Sequence, residues 1–242
     1  MNKQEAPSLA VVVPAAGVGK RMKSACPKQY LTIKEQTVLE HTVLRLLSHP
    51  AIEQVVIALG NNDEYYQDTS LINHPQIKTV VGGQERVDSV LAGLKYLQSQ
   101  GFEWALVHDA ARPCITVKDI DTLVQQCIST SKGGLLAYPA KDTIKRTANQ
   151  QDVDVTVDRS VLWHALTPQM FKTNELVDSI EYGLAKGLTI TDESSAIEQA
   201  NLASQLVEGS SDNIKITRPE DLALAEFILT NQEKSQQEKL CE

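Results

Sequence analysis

The chain has 242 residues, 31 acidic against 23 basic, and a formal net charge of −8. That length suits one large α/β domain burying about 70% of its unfolded surface, and that charge argues against a general nucleic-acid binder, which is normally basic. The four cysteines, Cys26, Cys114, Cys127 and Cys241, form no C-x-x-C pair, so no structural zinc site is expected and a reduced, cytoplasmic setting is.

Residues 9–13 are an apolar, mostly β-branched run ended by Pro14, the pattern of a buried strand. Glu5 precedes the run and Pro14 cuts it short, so it is not read as a signal-peptide core. No apolar run approaches the length of a membrane span, and the chain reads as soluble. Pro14-Ala15-Ala16-Gly17-Val18-Gly19 has almost no side-chain bulk. Small residues let backbone N–H groups approach a ligand, and glycine permits the φ > 0 angles that aim them. Lys20, Arg21, Lys23 and Lys28 follow, a local basic site on an acidic protein that suits a polyphosphate. Gly17 and Gly19 are too close for a P-loop, and Met22 stands where a dinucleotide fingerprint needs a third glycine. The competing reading is a tight turn with a solvated basic flank.

Val38, Leu39, Val43, Leu46 and Leu47 predict a helix. Strands follow at 54–59 and 77–81, separated by a polar loop with a short helix. Val87, Val90, Leu91, Leu94 and Leu97 mark an amphipathic helix. A strand at 104–107 runs into His108-Asp109-Ala110-Ala111-Arg112-Pro113, Thr116 and Asp119 open a helix, and 135–138 is a strand. This alternation predicts right-handed βαβ units: a Rossmann-like α/β domain with a mostly parallel twisted sheet and helices on both faces. Residues 141–160 alternate about a turn at 149–152 and are too polar for a core, predicting a protruding β-hairpin, either a flap or an arm gripping a partner. Helices at 173–186 and 191–199 follow, then strands at 203–207 and 213–216. A capping box from Thr217 to Glu220 opens a last helix to about 230, and 232–242 reads as a frayed tail. No repeat or linker divides the chain, so it reads as a single domain over 1–242 with an arm at 140–160.

Loops 14–28, 82–89 and 108–113 all follow strands, so the fold should gather them at one sheet edge. Gly82-Gly83-Gln84-Glu85-Arg86-Val87-Asp88-Ser89 is either ordinary helix capping or a ligand loop with free N–H donors and the Ser89 hydroxyl. Asp109 is either a turn cap or a metal-linked ribose or phosphate contact. Arg159 and Lys215, taken alone, read as surface charges.

Residues 14–22 and 27–30 resemble the nucleotidyltransferase signature Pro-Ala-Ala-Gly-x-Gly-x-Arg-Met followed by Pro-Lys-Gln-Tyr, and the ending resembles the 2-C-methyl-D-erythritol 4-phosphate cytidylyltransferase family. Gly-Gly-x-x-Arg-x-x-Ser at 82–89 and Val-His-Asp-Ala-Ala-Arg-Pro at 107–113 match the same family. The resemblance covers residues 9–230 and weakens at 60–76, 147–155 and the tail. It implies a nucleotide-diphospho-sugar transferase-like fold, CMP transfer from CTP to a polyol phosphate, Mg²⁺, and a homodimer through the arm. It implies that Pro14, Ala15, Ala16, Gly17 and Gly19 surround the nucleotide. Gly82, Gly83 and Ser89 would contact cytosine, with Arg86 supporting the loop. Ala110 would meet the ribose, and Asp109 the Mg²⁺ or substrate region. Arg21 and Lys28 would stabilise the α-phosphate in the transition state. Arg112, Thr143, Arg159, Thr167 and Thr191 would hold the acceptor, and Arg159 and Lys215 would aim it. His108 reads as structural. Open alternatives are another acceptor such as ribitol 5-phosphate, a kinase, which the missing P-loop opposes, and a non-catalytic CTP-binding regulator.

Overall fold

In the computed structural model, which describes residues 8–17 and 26–240, a seven-stranded sheet is built around β1 (Leu9–Pro14). Leu9, Val11 and Val13 face one core, whereas Ala10 and Val12 face another. A strand covered on both faces must be apolar throughout, which is why β1 does not alternate. A small hairpin, β2 (Thr32–Ile33) and β3 (Gln36–Thr37), leads into α1 (Val38–Leu47), where Thr37 and Glu40 form a capping box. Then come β4 (Ile52–Leu59), β5 (Ile77–Val81), α2 (Arg86–Ser99), β6 (Trp104–Val107), α3 (Val117–Thr130) and β7 (Gly134–Pro139). The chain continues with β8 (Ile144–Arg146), β9 (Val155–Val157), β10 (Trp163–Lys172), α4 (Thr173–Ala185), α5 (Glu193–Gln199), β11 (Gln205–Glu208) and α6 (Glu220–Leu240).

The strand order is β11-β7-β10-β6-β1-β4-β5. Every neighbouring pair is parallel except the two that β10 makes, with β6 and β7. Helices α1 and α3 bury Leu39, Val43, Leu46, Ile120 and Leu123 on one face. Helices α2, α4 and α5 bury Val90, Leu94, Leu176, Ile180 and Ile197 on the other. A third cluster seats Ala225, Ile228 and Leu229 of α6 against Ile33, Val38 and Cys114. The α/β architecture expected from sequence is therefore the one observed. Among the described residues no helix is long and apolar enough to cross a membrane.

Four details differ from expectation. Strand β10 went unpredicted because Pro168 interrupts it, and a proline argues against a central strand; the register shifts between Ala165 and Gln169, and that bulge accommodates it. Residues 213–216 are not a strand: Ile216 N–H donates to Ala111 O (2.8 Å), and the Asn213 carbonyl accepts from Arg112 Nη1 (2.6 Å), so their backbone groups pair with loops instead. Glu220 does not close a capping box; the Asp221 carboxylate accepts from Thr217 N–H and Arg218 N–H, both at 2.8 Å. The tail expected to fray is helical as far as Leu240. The hairpin at 141–160 is present as antiparallel β8 and β9, exposed along most of its length.

Gly93 shows how tightly α2 lies on β1. A Cβ there would stand 2.5 Å from Val12 Cγ1. Alanine favours a helix interior by about 1 kcal/mol over glycine, but overpacking a filled core costs about 1–3 kcal/mol. Gly93→Ala should therefore lower the urea midpoint. A raised midpoint would show that helix propensity outweighs the contact.

Candidate active site

Strands β1, β5 and β6 are mutually aligned, so the loops after Pro14, Val81 and Val107 meet at one edge, as open α/β sheets require. They surround a cleft of about 460 Å³. Pro14, Ala15, Ala16, Gly17 and Lys28 form one wall; Gly83 and Ser89 form a second; Asp109, Ala110, Lys215 and Thr217 close the third. Gln29, buried beneath the first wall, donates through Nε2 to Ala15 O (2.7 Å) and Gly17 O (3.1 Å). Two carbonyls that would repel an anion are thereby occupied. Lys28 Nζ donates to Ile216 O (2.8 Å), tying this wall to the segment that carries Lys215. Gly19 and Arg21 lie outside the described residues.

Gly82 and Gly83 serve packing, whereas a Cβ on Gly17 would meet open space, and Gly17 does not take the left-handed angle expected of its loop. None of Gly17, Gly82 and Gly83 has positive φ. A Cβ on Gly82 would stand 2.7 Å from Ser89 Oγ and 2.8 Å from Ala16 Cβ, and one on Gly83 2.2 Å from Asp88 Cβ. Gly82 therefore packs between two walls of the cleft without lining it. Ser89 Oγ accepts from Gly83 N–H (3.1 Å).

Asp109 is the electrostatic centre. Its Oδ1 accepts from Arg86 Nε (3.1 Å), and its Oδ2 meets Arg112 Nε (3.3 Å) and Lys215 Nζ (2.8 Å). Burial alone would raise the Asp109 carboxyl, but the charges of Arg86, Lys215 and Arg112 hold it well below the usual carboxylate range. Arg86 also binds the buried Glu193 through Nη1–Oε1 (2.7 Å) and Nη2–Oε2 (3.3 Å). Three cations, Arg86, Arg112 and Lys215, thus face the carboxylates of Asp109 and Glu193 at one sheet edge.

The same cluster lines a second cavity of about 200 Å³, which Arg112, Thr167, Thr191, Gln169 and Asp192 complete. Gln169 lies opposite Val107, so the β10 bulge places Thr167 beside Asp109. Asp109 N–H donates to Thr167 Oγ1 (3.1 Å). His108 completes this chain: its Nε2–H donates to Arg112 O (3.1 Å), so its Nδ1 accepts from the Thr167 hydroxyl (3.0 Å). Arg112, Thr167 and Thr191 are thus brought together with Asp109 and Lys215. Thr143 and Arg159 are not: both lie exposed on the arm, where Arg159 Nη1 donates to Lys141 O, and neither lines either cavity. Among the described residues no group of three or more His, Cys, Asp or Glu side chains could hold a metal.

Residues 9–231 match the family model for 2-C-methyl-D-erythritol 4-phosphate cytidylyltransferase. The chain belongs to this family. The cytidylyltransferase of that name from Vibrio vulnificus strain CMCP6 is 56% identical over 227 residues, covering 93% of this chain and 96% of its own. The one from Colwellia psychrerythraea strain 34H is 56% identical over 230 residues, covering 92% and 95%. The solved 2-C-methyl-D-erythritol 4-phosphate cytidylyltransferase of Francisella tularensis is similar with TM-score 0.78 at 33% identity, over 91% of this chain and 99% of that one.

Several residues of this cytidylyltransferase site had no distinct signal in the sequence. Gln29 was visible only as a letter of the Pro-Lys-Gln-Tyr motif. Glu193 reads as an ordinary first-turn acid of α5. Arg86 reads as loop support, and its two carboxylate partners lie 23 and 107 residues away, one in a loop and one in the first turn of α5.

Burial pushes the His108 imidazole down to about 4, below the ordinary value of about 6.5. Between those values the unfolded chain binds a proton that the folded chain excludes, so stability falls as pH drops through that window. From pH 7.5 to 5 the loss should be about 2 kcal/mol, measured by urea unfolding. His108→Asn should flatten this dependence whatever its own baseline; an unchanged slope would assign the dependence to other groups.

Proposed function

We propose that this chain transfers CMP from CTP to 2-C-methyl-D-erythritol 4-phosphate, releasing pyrophosphate and giving 4-diphosphocytidyl-2-C-methyl-D-erythritol. The observation that carries this reading is the pair of cavities sharing Arg86, Asp109 and Lys215 as a common wall. The larger accommodates a nucleotide, with Pro14 to Gly17 around its phosphates, Gly83 and Ser89 at the base, and Ala110 at the ribose. The smaller accommodates a polyol phosphate held by Arg112, Thr167 and Thr191.

The acceptor phosphate is already an anion, so its attack on the α-phosphorus needs no strong general base. The work lies in bringing a dianion against a polyanion and stabilising the crowded phosphorus. His108, neutral and committed at both ring nitrogens, is built to hold Asp109 and Arg112. Cys114 and Cys127 are buried thiols pushed up to about 12, so neither offers a thiolate nucleophile; free thiols also suit a cytoplasmic enzyme. We assign Arg21 and Lys28 to the α-phosphate, and Lys215 to aiming the acceptor. Mg²⁺ fits Asp109 sparingly: Oδ2 carries two cations and Oδ1 only one, leaving an acceptor position on Oδ1. A Mg²⁺ held by one carboxylate together with substrate phosphates is an ordinary arrangement, and it would supply charge neutralisation on the triphosphate.

Thr143 and Arg159 acquire a role if the arm reaches a second copy of the chain. An isolated ribbon is marginal in water, and this one exposes Val153 and Val155, which a two-fold dimer would cover. Arg159 would then serve the partner's acceptor cavity.

Pyrophosphate release with CTP tests the reading. Methylerythritol phosphate should support it and ribitol 5-phosphate should be a poor acceptor; the reverse order would reassign the acceptor, and release with neither would leave a nucleotide-binding protein without this activity. Lys28→Ala should lower kcat at least about a hundredfold, the scale of losing one preorganised donor. A change confined to KM would remove Lys28 from the transition state. Lys28→Ala and Arg159→Ala homodimers should each be nearly inactive, whereas mixed dimers place both lesions in one site and should recover up to half of wild-type activity. Demonstrated subunit exchange without recovery would put Arg159 to work in its own chain.

A further inference from the structure

Arg86 stands in the first turn of α2, where a cation opposes the helix dipole. Helix stability therefore does not explain its presence, but its two partners do. On one side its Nε reaches Asp109 Oδ1; on the other its two terminal nitrogens grip both oxygens of Glu193, whose side chain is 2% exposed. The two helices that start with these residues follow different loops. Residues 83–85, ahead of α2, line the larger cavity, and Thr191 and Asp192, ahead of α5, line the smaller. One guanidinium therefore joins the nucleotide loop to the acceptor turn across Asp109.

We propose that Glu193 is a positioning residue that couples the two substrate cavities by fixing Arg86 across Asp109, an inference that rests on the nucleotide-and-acceptor reading above. The three cations on Asp109 are not equivalent. Lys215 is 38% exposed, makes a single contact with Asp109 and can swing to a phosphate; Arg112 is 11% exposed and also donates to Asn213 O. Arg86 lies between them at 31%. An anion arriving in the smaller cavity draws Lys215 off Asp109, and Asp109 then depends on Arg86 and Arg112. The planar fork gripped by Glu193 cannot follow the anion. Asp109 stays paired, and residues 83–85 keep the position that the nucleotide needs. Each substrate thus meets a cavity already shaped by the other, and such coupling is reciprocal.

Titration calorimetry with α,β-methylene-CTP, whose α–β bridge cannot be cleaved, tests this in the presence and absence of methylerythritol phosphate. In the wild type each ligand should tighten the other at least about fivefold, the lower end of typical coupling. Glu193→Gln, which keeps the shape and loses the charge, should bring that factor below about twofold while each ligand alone still binds near its wild-type affinity; a merely structural role would weaken both ligands alike and leave their ratio unchanged. Arg86→Lys keeps the charge but loses the fork, should bring the coupling factor below about twofold even where it also weakens each ligand alone, and decides the matter if Glu193→Gln does not fold. A wild-type coupling factor retained in the variant that folds overturns the proposal, as does a wild type that binds both ligands independently. A wild type that binds no CTP analogue overturns the functional reading itself.

Discussion

One buried carboxylate, Asp109, has to serve three cations, and the arrangement of the active edge follows from that. A charge removed from water is tolerated only when paired and hydrogen-bonded. Asp109 meets both conditions, with Arg86, Arg112 and Lys215 on its oxygens and Thr167 on its N–H. Around the two cavities the charges match in number, Lys28, Arg86, Arg112 and Lys215 against Glu85, Asp109, Asp192 and Glu193.

The supporting structure delivers those charges from distant parts of the chain. The β10 bulge supplies Thr167, and His108 locks Thr167 to the carbonyl of Arg112. The segment carrying Lys215 is anchored by loop partners at both ends: the Asn213 carbonyl on Arg112, Asn213 Nδ2 on Thr167 O (2.7 Å), and the Ile216 carbonyl on Lys28. Because Lys28 and Arg112 each hold backbone as well as facing a cavity, the same side chains that line the cavities also keep the site assembled.

The sheet was legible because β1, β4, β5 and β6 carry runs or stripes that only buried strands and amphipathic helices satisfy. The three loops could be assigned to one edge because parallel strands leave no other place for them. What escaped were features set by tertiary partners. Pro168 hid a strand that a bulge rescues. Residues 213–216 have strand-like composition, but their backbone groups meet Arg112, Ala111 and Lys28 instead of a ladder. The glycines at 82 and 83 were readable as places of close backbone approach, and the space beside them is taken by Ser89, Ala16 and Asp88. Glu193 gives no local signal, since its partner lies 107 residues away.

The charged wall between the cavities also limits what can block them. The three residues common to both are an arginine, an aspartate and a lysine, so a compound spanning the two would cross a polar boundary and have little apolar surface to bury there. Its midsection would need an anionic group to engage Lys215 without displacing Arg86 from Glu193. A neutral linker of the same length would desolvate three charges and return no hydrogen bonds for them, a loss that added apolar bulk at either end could not readily recover. The chemistry of a useful inhibitor for this chain is therefore phosphonate- or carboxylate-centred, with selectivity sought at the rims: among Gly83, Gln84 and Ser89 on one side, and Thr191 and Asp192 on the other.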